Sequence, residues 1–86
     1  MMEKRPRYFF KKYMKNDFLR GMKMTYIADK VGISYSYLYS IIQAQNVVDD
    51  YLIARIMLCI GYKNTDIKNL KSKFFELREN HKNREG

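Results

Sequence analysis

The sequence predicts an all-α fold, a compact bundle of about five helices. Apolar residues recur at three- and four-residue spacing in several stretches. Gly21, Gly32 and Gly61 each follow such a stretch, where helices commonly stop. No Asn-Gly or Asp-Gly hairpin turn occurs, and no two segments alternate over enough residues to pair as strands. Eighty-six residues allow one domain at most, and a chain this short buries a small core. A hydrophobic fraction of 47% and an aromatic content of 15% mark a folded chain in spite of its net charge of +8. The expected organisation is a basic arm over 1–6, a domain over 7–79 and a frayed tail over 80–86.

The first helix is expected over 7–19. Pro6 suits a helix start, and Phe10, Met14 and Phe18 recur at i, i+4 and i+8 with Lys11, Lys12 and Lys15 between them. A short helix over 24–31 follows, with Ile27, Ala28 and Val31 on its inner face. A helix over 50–60, capped by Asp49 or Asp50, is apolar almost all round and so should be covered on more than one side. The last helix, over 66–79, is expected to be capped by Asn64 or Thr65. It carries an inner stripe of Ile67, Leu70, Phe74 and Leu77 with Phe75 beside it.

The segment 35–44 has two readings. Tyr35, Tyr37 and Tyr39 alternate with Ser34, Ser36, Leu38 and Ser40 like a strand of good strand formers. A lone strand among helices would leave its backbone groups unpaired. At 100° per residue the same segment gathers Leu38, Ile41 and Ile42 on one side, and Ser34 suits an N-cap. The helix is the better reading. It turns Ser36, Tyr39, Ser40 and Gln43 outward together and puts Tyr35 and Tyr37 on opposite flanks, where they read as packing residues whose hydroxyls reach water.

Charge is uneven along the chain. Residues 1–23 carry net +6, residues 24–61 net −1 and residues 62–86 net +3. Basic ends around a nearly neutral middle suggest a polyanionic partner. Catalysis is not expected. His81 is the one histidine and lies in the tail; Cys59 sits in an apolar run with no adjacent base. There is no metal-ligand spacing, phosphate loop or paired catalytic carboxylate, so no cofactor and no metal is expected. The first residues lack a signal-peptide pattern, and "YLIARIMLCIGY" is broken by Arg55 and too short to span a bilayer. A cytoplasmic protein with no membrane partner is the expectation.

The stretch "GMKMTYIADKVGISYSYLYSIIQA", residues 21–44, pairs two short helices across a turn at "VGIS". It resembles the Cro/CI-type, lambda-repressor-like helix-turn-helix family through Met22, Ile27, Ala28, Val31, Gly32, Ile33, Ser34, Leu38 and Ile41. Residues 48–62 look like the next helix of that family, especially in its small phage-associated members.

The resemblance implies a domain that lays its third helix in the major groove of double-stranded DNA. Tyr35, Ser36, Tyr39, Ser40 and Gln43 would then face bases, and Gln45 and Asn46 would approach bases or backbone. The basic residues Lys4, Arg5, Arg7, Lys11, Lys12, Lys15 and Lys23 would hold phosphates. Members commonly dimerise, often through the C-terminal helix. A domain this small cannot easily bury Phe75 together with Ile67, Leu70, Phe74 and Leu77, so a homodimer contact is expected at Leu70, Phe74, Phe75 and Leu77, although monomeric packing explains those residues almost as well.

The departures from the family pattern are specific. Lys23 stands where a capping Thr or Ser is common, Met24 where Gln is common, Ser40 where Arg or Lys is frequent and Ala44 where Gly ends the helix. The expected reader helix therefore has no charged residue and lacks the Arg–guanine pairing. A sequence-specific regulator of phage- or plasmid-repressor type is the leading expectation. The second is a protein-binding module on the same scaffold, such as an inhibitor or adaptor of a host protein, since an uncharged Tyr/Ser surface suits protein contacts. RNA, with tyrosines stacked on unpaired bases, is a related reading.

Overall fold

The computed structural model describes residues 6–78. Among these, the chain forms five α-helices and a small three-stranded antiparallel sheet, so it is mostly rather than wholly helical. The elements are β1 (Arg7–Phe10), a 3-10 turn (Lys12–Met14), α1 (Lys15–Leu19), α2 (Met24–Val31), α3 (Tyr35–Ile42), β2 (Val48–Asp49), α4 (Asp50–Ile60), α5 (Asn64–Phe74) and β3 (Phe75–Leu77). Lys4 and Arg5, His81 and the expected frayed tail lie outside the described residues.

Two expected helices are corrected. The first does not run over 7–19: Arg7–Phe10 is the central strand of the sheet, with β2 on one side and β3 on the other. Tyr8 faces Val48 across one ladder and Leu77 across the other, and Phe10 faces Phe75. The last helix ends at Phe74 rather than at 79, where the backbone turns extended at Phe75 (φ −127°, ψ 153°). "RYFF" is rich in aromatic strand formers. Its partners are only two and three residues long and come from the middle and the end of the chain, so no local alternation announces them. The Lys11 N–H donates to the Phe74 carbonyl (2.7 Å) and Lys11 Nζ to the Ser72 carbonyl (2.8 Å), which satisfies orphan acceptors at the end of α5.

The helical spacing nevertheless found part of the core: Phe10, Phe18, Ile67 and Phe74 of the expected stripes are buried, and Met14 is half-buried. Phe10 and Phe18 meet edge to face at 5.1 Å, across a strand-to-helix corner instead of along one helix. Phe74 and Phe75 complete the cluster, 5.1 and 5.6 Å from Phe18 between ring centroids. Both are buried inside this one chain, while Leu70 is half-buried against the core. Leu77 is half-buried in β3. The apolar surplus that suggested a dimer contact is thus largely consumed by β1 and α1 of the same chain.

The middle of the chain follows its local signals. Ile27, Ala28 and Val31 of α2 and Leu38, Ile41 and Ile42 of α3 are all buried. Gly32 closes α2 at φ 88°, a left-handed conformation that a side chain would strain, and its N–H donates to the Ala28 carbonyl. Ser34 caps α3: its Oγ accepts from the Tyr37 N–H at 3.1 Å. Asp49 caps α4 in the same way through the Leu52 N–H at 2.9 Å. Lys63 occupies the N-cap of α5 without a side-chain bond, so neither Asn64 nor Thr65 is the cap. α4 buries Ile53, Ile56, Met57 and Ile60 against its neighbours but leaves Tyr51, Arg55 and Leu58 exposed. No helix among the described residues is long and apolar enough to cross a membrane.

Candidate functional site

α3 is held by its apolar face. Leu38, Ile41 and Ile42 are fully buried, and the helix packs on α2 and touches β1. Burying three such side chains contributes roughly 1.5–3 kcal/mol each, which fixes the helix's rotation and hence what it shows outward. Tyr35, Ser36, Tyr37 and Tyr39 are exposed; Ser40 and Gln43 are half-buried.

The tyrosines are arranged differently from the sequence expectation. Tyr35 is 48% exposed and does not serve as a packing residue. Four residues apart on one helix face, its ring lies 6.1 Å from that of Tyr39 with the two planes 25° apart. The two rings stack on the amino-terminal half of α3 and both stay partly exposed. Tyr37 stands on the other flank, also exposed.

Ser40 is committed internally. Its hydroxyl donates to the Tyr37 carbonyl (2.7 Å) and accepts from Asn46 Nδ2 (3.2 Å). These two expected contact residues therefore bind each other, and the bond pins the loop after α3 to the helix. The chain turns there through Ala44 at φ 61°, an alanine in the left-handed region. Glycine is the residue that adopts this conformation without strain. Gln45, exposed, donates its N–H to the Ser40 carbonyl.

The expected phosphate-holding residues are spread over several elements. Lys23 is exposed at the N-cap of α2 and makes no side-chain capping bond. Arg7 is exposed on β1, the strand that α3 touches. Lys12 is exposed and Lys15 half-buried at the start of the α1 region, while Lys11 is engaged with the end of α5.

A second group escaped the sequence reading. An open groove of about 470 Å³ between α2 and α4 is lined by Tyr26, Lys30, Val31, Arg55, Leu58 and Cys59. Lys30 Nζ lies over the Tyr26 ring at 5.6 Å and the Arg55 guanidinium over the Tyr51 ring at 5.7 Å. Both pairs are four apart on their helices, the one signal that was visible in advance. Burial pushes the Cys59 thiol above its ordinary pKa, and nearby Lys30 only partly offsets this. The thiol is therefore protonated at neutral pH, a poor nucleophile.

No family model matches this chain, and no curated protein or solved structure matches it either.

Proposed function

We propose that this protein is a sequence-specific DNA-binding regulator of the phage- or plasmid-repressor type, a helix-turn-helix protein that reads the major groove with α3. The observation that carries the reading is the α2–α3 pair: α3 is locked on α2 by Leu38, Ile41 and Ile42 and shows a polar, uncharged face of Tyr35, Ser36 and Tyr39, with Gln43 at its end. A glutamine pairs with adenine, a serine with either strand, and an aromatic ring meets a thymine methyl. Affinity then comes from lysines and arginines off the helix, with a chain of net charge +8.

Binding to the promoter region of its own gene, titrated with salt, tests this. The logarithm of affinity should fall steeply with the logarithm of salt concentration. The double substitution Tyr39→Ala, Gln43→Ala should remove about 1–3 kcal/mol of discrimination per lost base contact and leave non-specific binding in place. A flat salt dependence, or discrimination unchanged in the variant, would overturn the reading.

A specific observation favours the second reading, a protein-binding module. α3 has no Lys or Arg, and its stacked Tyr35–Tyr39 pair offers rigid, amphipathic area of the kind protein interfaces use. On that reading the same double substitution leaves DNA retention unchanged and abolishes binding to a protein partner.

A further inference from the structure

We infer that the groove between α2 and α4 is a docking site for a partner-protein segment that carries carboxylates beside one large apolar side chain. Residues 24–61 contain two basic residues, Lys30 and Arg55, and the fold brings both to the rim of this one groove. Among the described residues neither cation is paired with a carboxylate; each lies over a tyrosine ring. The lining contains no acid, and Asp29, beside Lys30 on α2, is not part of it.

The floor complements this charge with apolar surface. Val31 is buried and Cys59 half-buried, while Leu58 is 48% exposed at the open side. Of the seven large hydrophobic side chains exposed among the described residues, Tyr26, Tyr51 and Leu58 belong to these two helices. A single exposed leucine would need no explanation. An exposed leucine in a groove flanked by two cations without acid partners, each backed by a ring, matches an apolar anchor with acids on either side.

Other occupants fit less well. A second copy of this chain carries net charge +8 and is repelled from a basic groove. A nucleic-acid backbone draws its affinity from many phosphate contacts, and two cations supply few. One face of both the Tyr26 and Tyr51 rings is already covered by a cation.

The test is selection of the whole protein against a displayed library of random peptides of about a dozen residues. Enriched sequences should combine a large apolar residue with Asp or Glu within about four positions of it. By fluorescence anisotropy, an enriched peptide should bind the Lys30→Glu, Arg55→Glu variant about tenfold more weakly or worse. Leu58→Asp should weaken it as well, and Tyr39→Ala, Gln43→Ala should leave it intact. That last result separates this site from the α3 reading. All substituted groove side chains are exposed, and circular dichroism should show folds unchanged; should the double charge reversal unfold, Arg55→Ala alone carries the test. Enrichment of peptides without acids, no enrichment over the starting library, or an affinity unchanged in both groove variants would overturn the inference. So would a single-stranded oligonucleotide that binds the groove while no peptide does.

Discussion

The α2–α3 pair and the three-stranded sheet are built on opposite principles. The pair comes from residues adjacent in sequence, each turn of it marked by a cap, a glycine or a buried apolar spacing. The sheet joins Arg7–Phe10 to Val48–Asp49 and Phe75–Leu77, three segments with no short connection between them. The first is held by signals within a few residues; the second exists only once the chain has closed on itself. The surface expected to touch a partner lies on the locally specified pair, while the aromatic cluster that stabilises the domain lies mostly at the closure. Substitutions on the outward face of α3 and in the aromatic cluster should therefore act separately.

The largest effects test that division. Phe10→Ala removes a buried ring that meets both Phe18 and Phe75 and should cost about 3–5 kcal/mol in urea denaturation. Leu38→Ala should cost about 2–5 kcal/mol. Their kinetics should differ: local contacts close at smaller entropic cost, so Leu38→Ala should slow folding, whereas Phe10→Ala should mainly speed unfolding. Equal partition of both between the two rates would break the comparison.

Smaller effects sharpen it. Ser34→Ala and Asp49→Ala each remove a capping acceptor and should cost about 1 kcal/mol, read as a shift in the denaturation midpoint at constant slope. Ala44→Gly should have the opposite sign. Relief of a left-handed alanine outweighs glycine's extra unfolded-state entropy, for a gain of about 0.5–1 kcal/mol.

The smallest expected effect concerns Lys71, which ties α5 to α4 and β1 through Asp50 (2.6 Å) and the Tyr8 hydroxyl (3.1 Å). Burial pulls its pKa down, but the hydrogen bonds and charges of Asp50 and Tyr8 outweigh this, and the net shift is upward. The raised value means that the folded state holds the proton more tightly. Its stabilisation is complete below the ordinary lysine pKa of about 10.4 and disappears as pH rises through the folded value. Lys71→Met should therefore cost under about 1 kcal/mol at neutral pH. Its gap from the unsubstituted protein should shrink in melts above about pH 10.4; a gap independent of pH would remove the ion pair from the account.

How much was legible follows from the reach of each signal. The buried faces of α2 and α3, the cap at Ser34 and the stop at Gly32 were all readable, and the cap of α4 was narrowed to Asp49 or Asp50. The outward set on α3 was readable only in part. The wheel put Ser36 and Tyr39 on the surface but missed that Tyr35 stacks on Tyr39 and that Ser40 and Asn46 bond to each other. Both facts depend on side-chain conformations and on the path of the loop through Ala44. The α2–α4 groove was not legible at all, because each helix alone shows only a tyrosine and a cation four residues apart.

By itself the sequence determined the middle of this protein. Hydrophobic periodicity, a serine cap and a glycine that tolerates positive φ are local constraints, set by residues only a few positions apart. It also marked part of the core, since Phe10, Phe18 and Phe74 lie on the expected stripes and are buried, while the burial of Phe75 inside the same chain was not readable. Only the tertiary structure decided that Arg7–Phe10 and Phe75–Leu77 are strands. A strand's backbone groups are satisfied by partners far along the chain, and that pairing outweighed the helical spacing of the same phenylalanines. Closure likewise assembled Tyr26, Lys30, Arg55 and Leu58 into one groove, because the distance between two helix faces is a property of the packed domain and not of either helix.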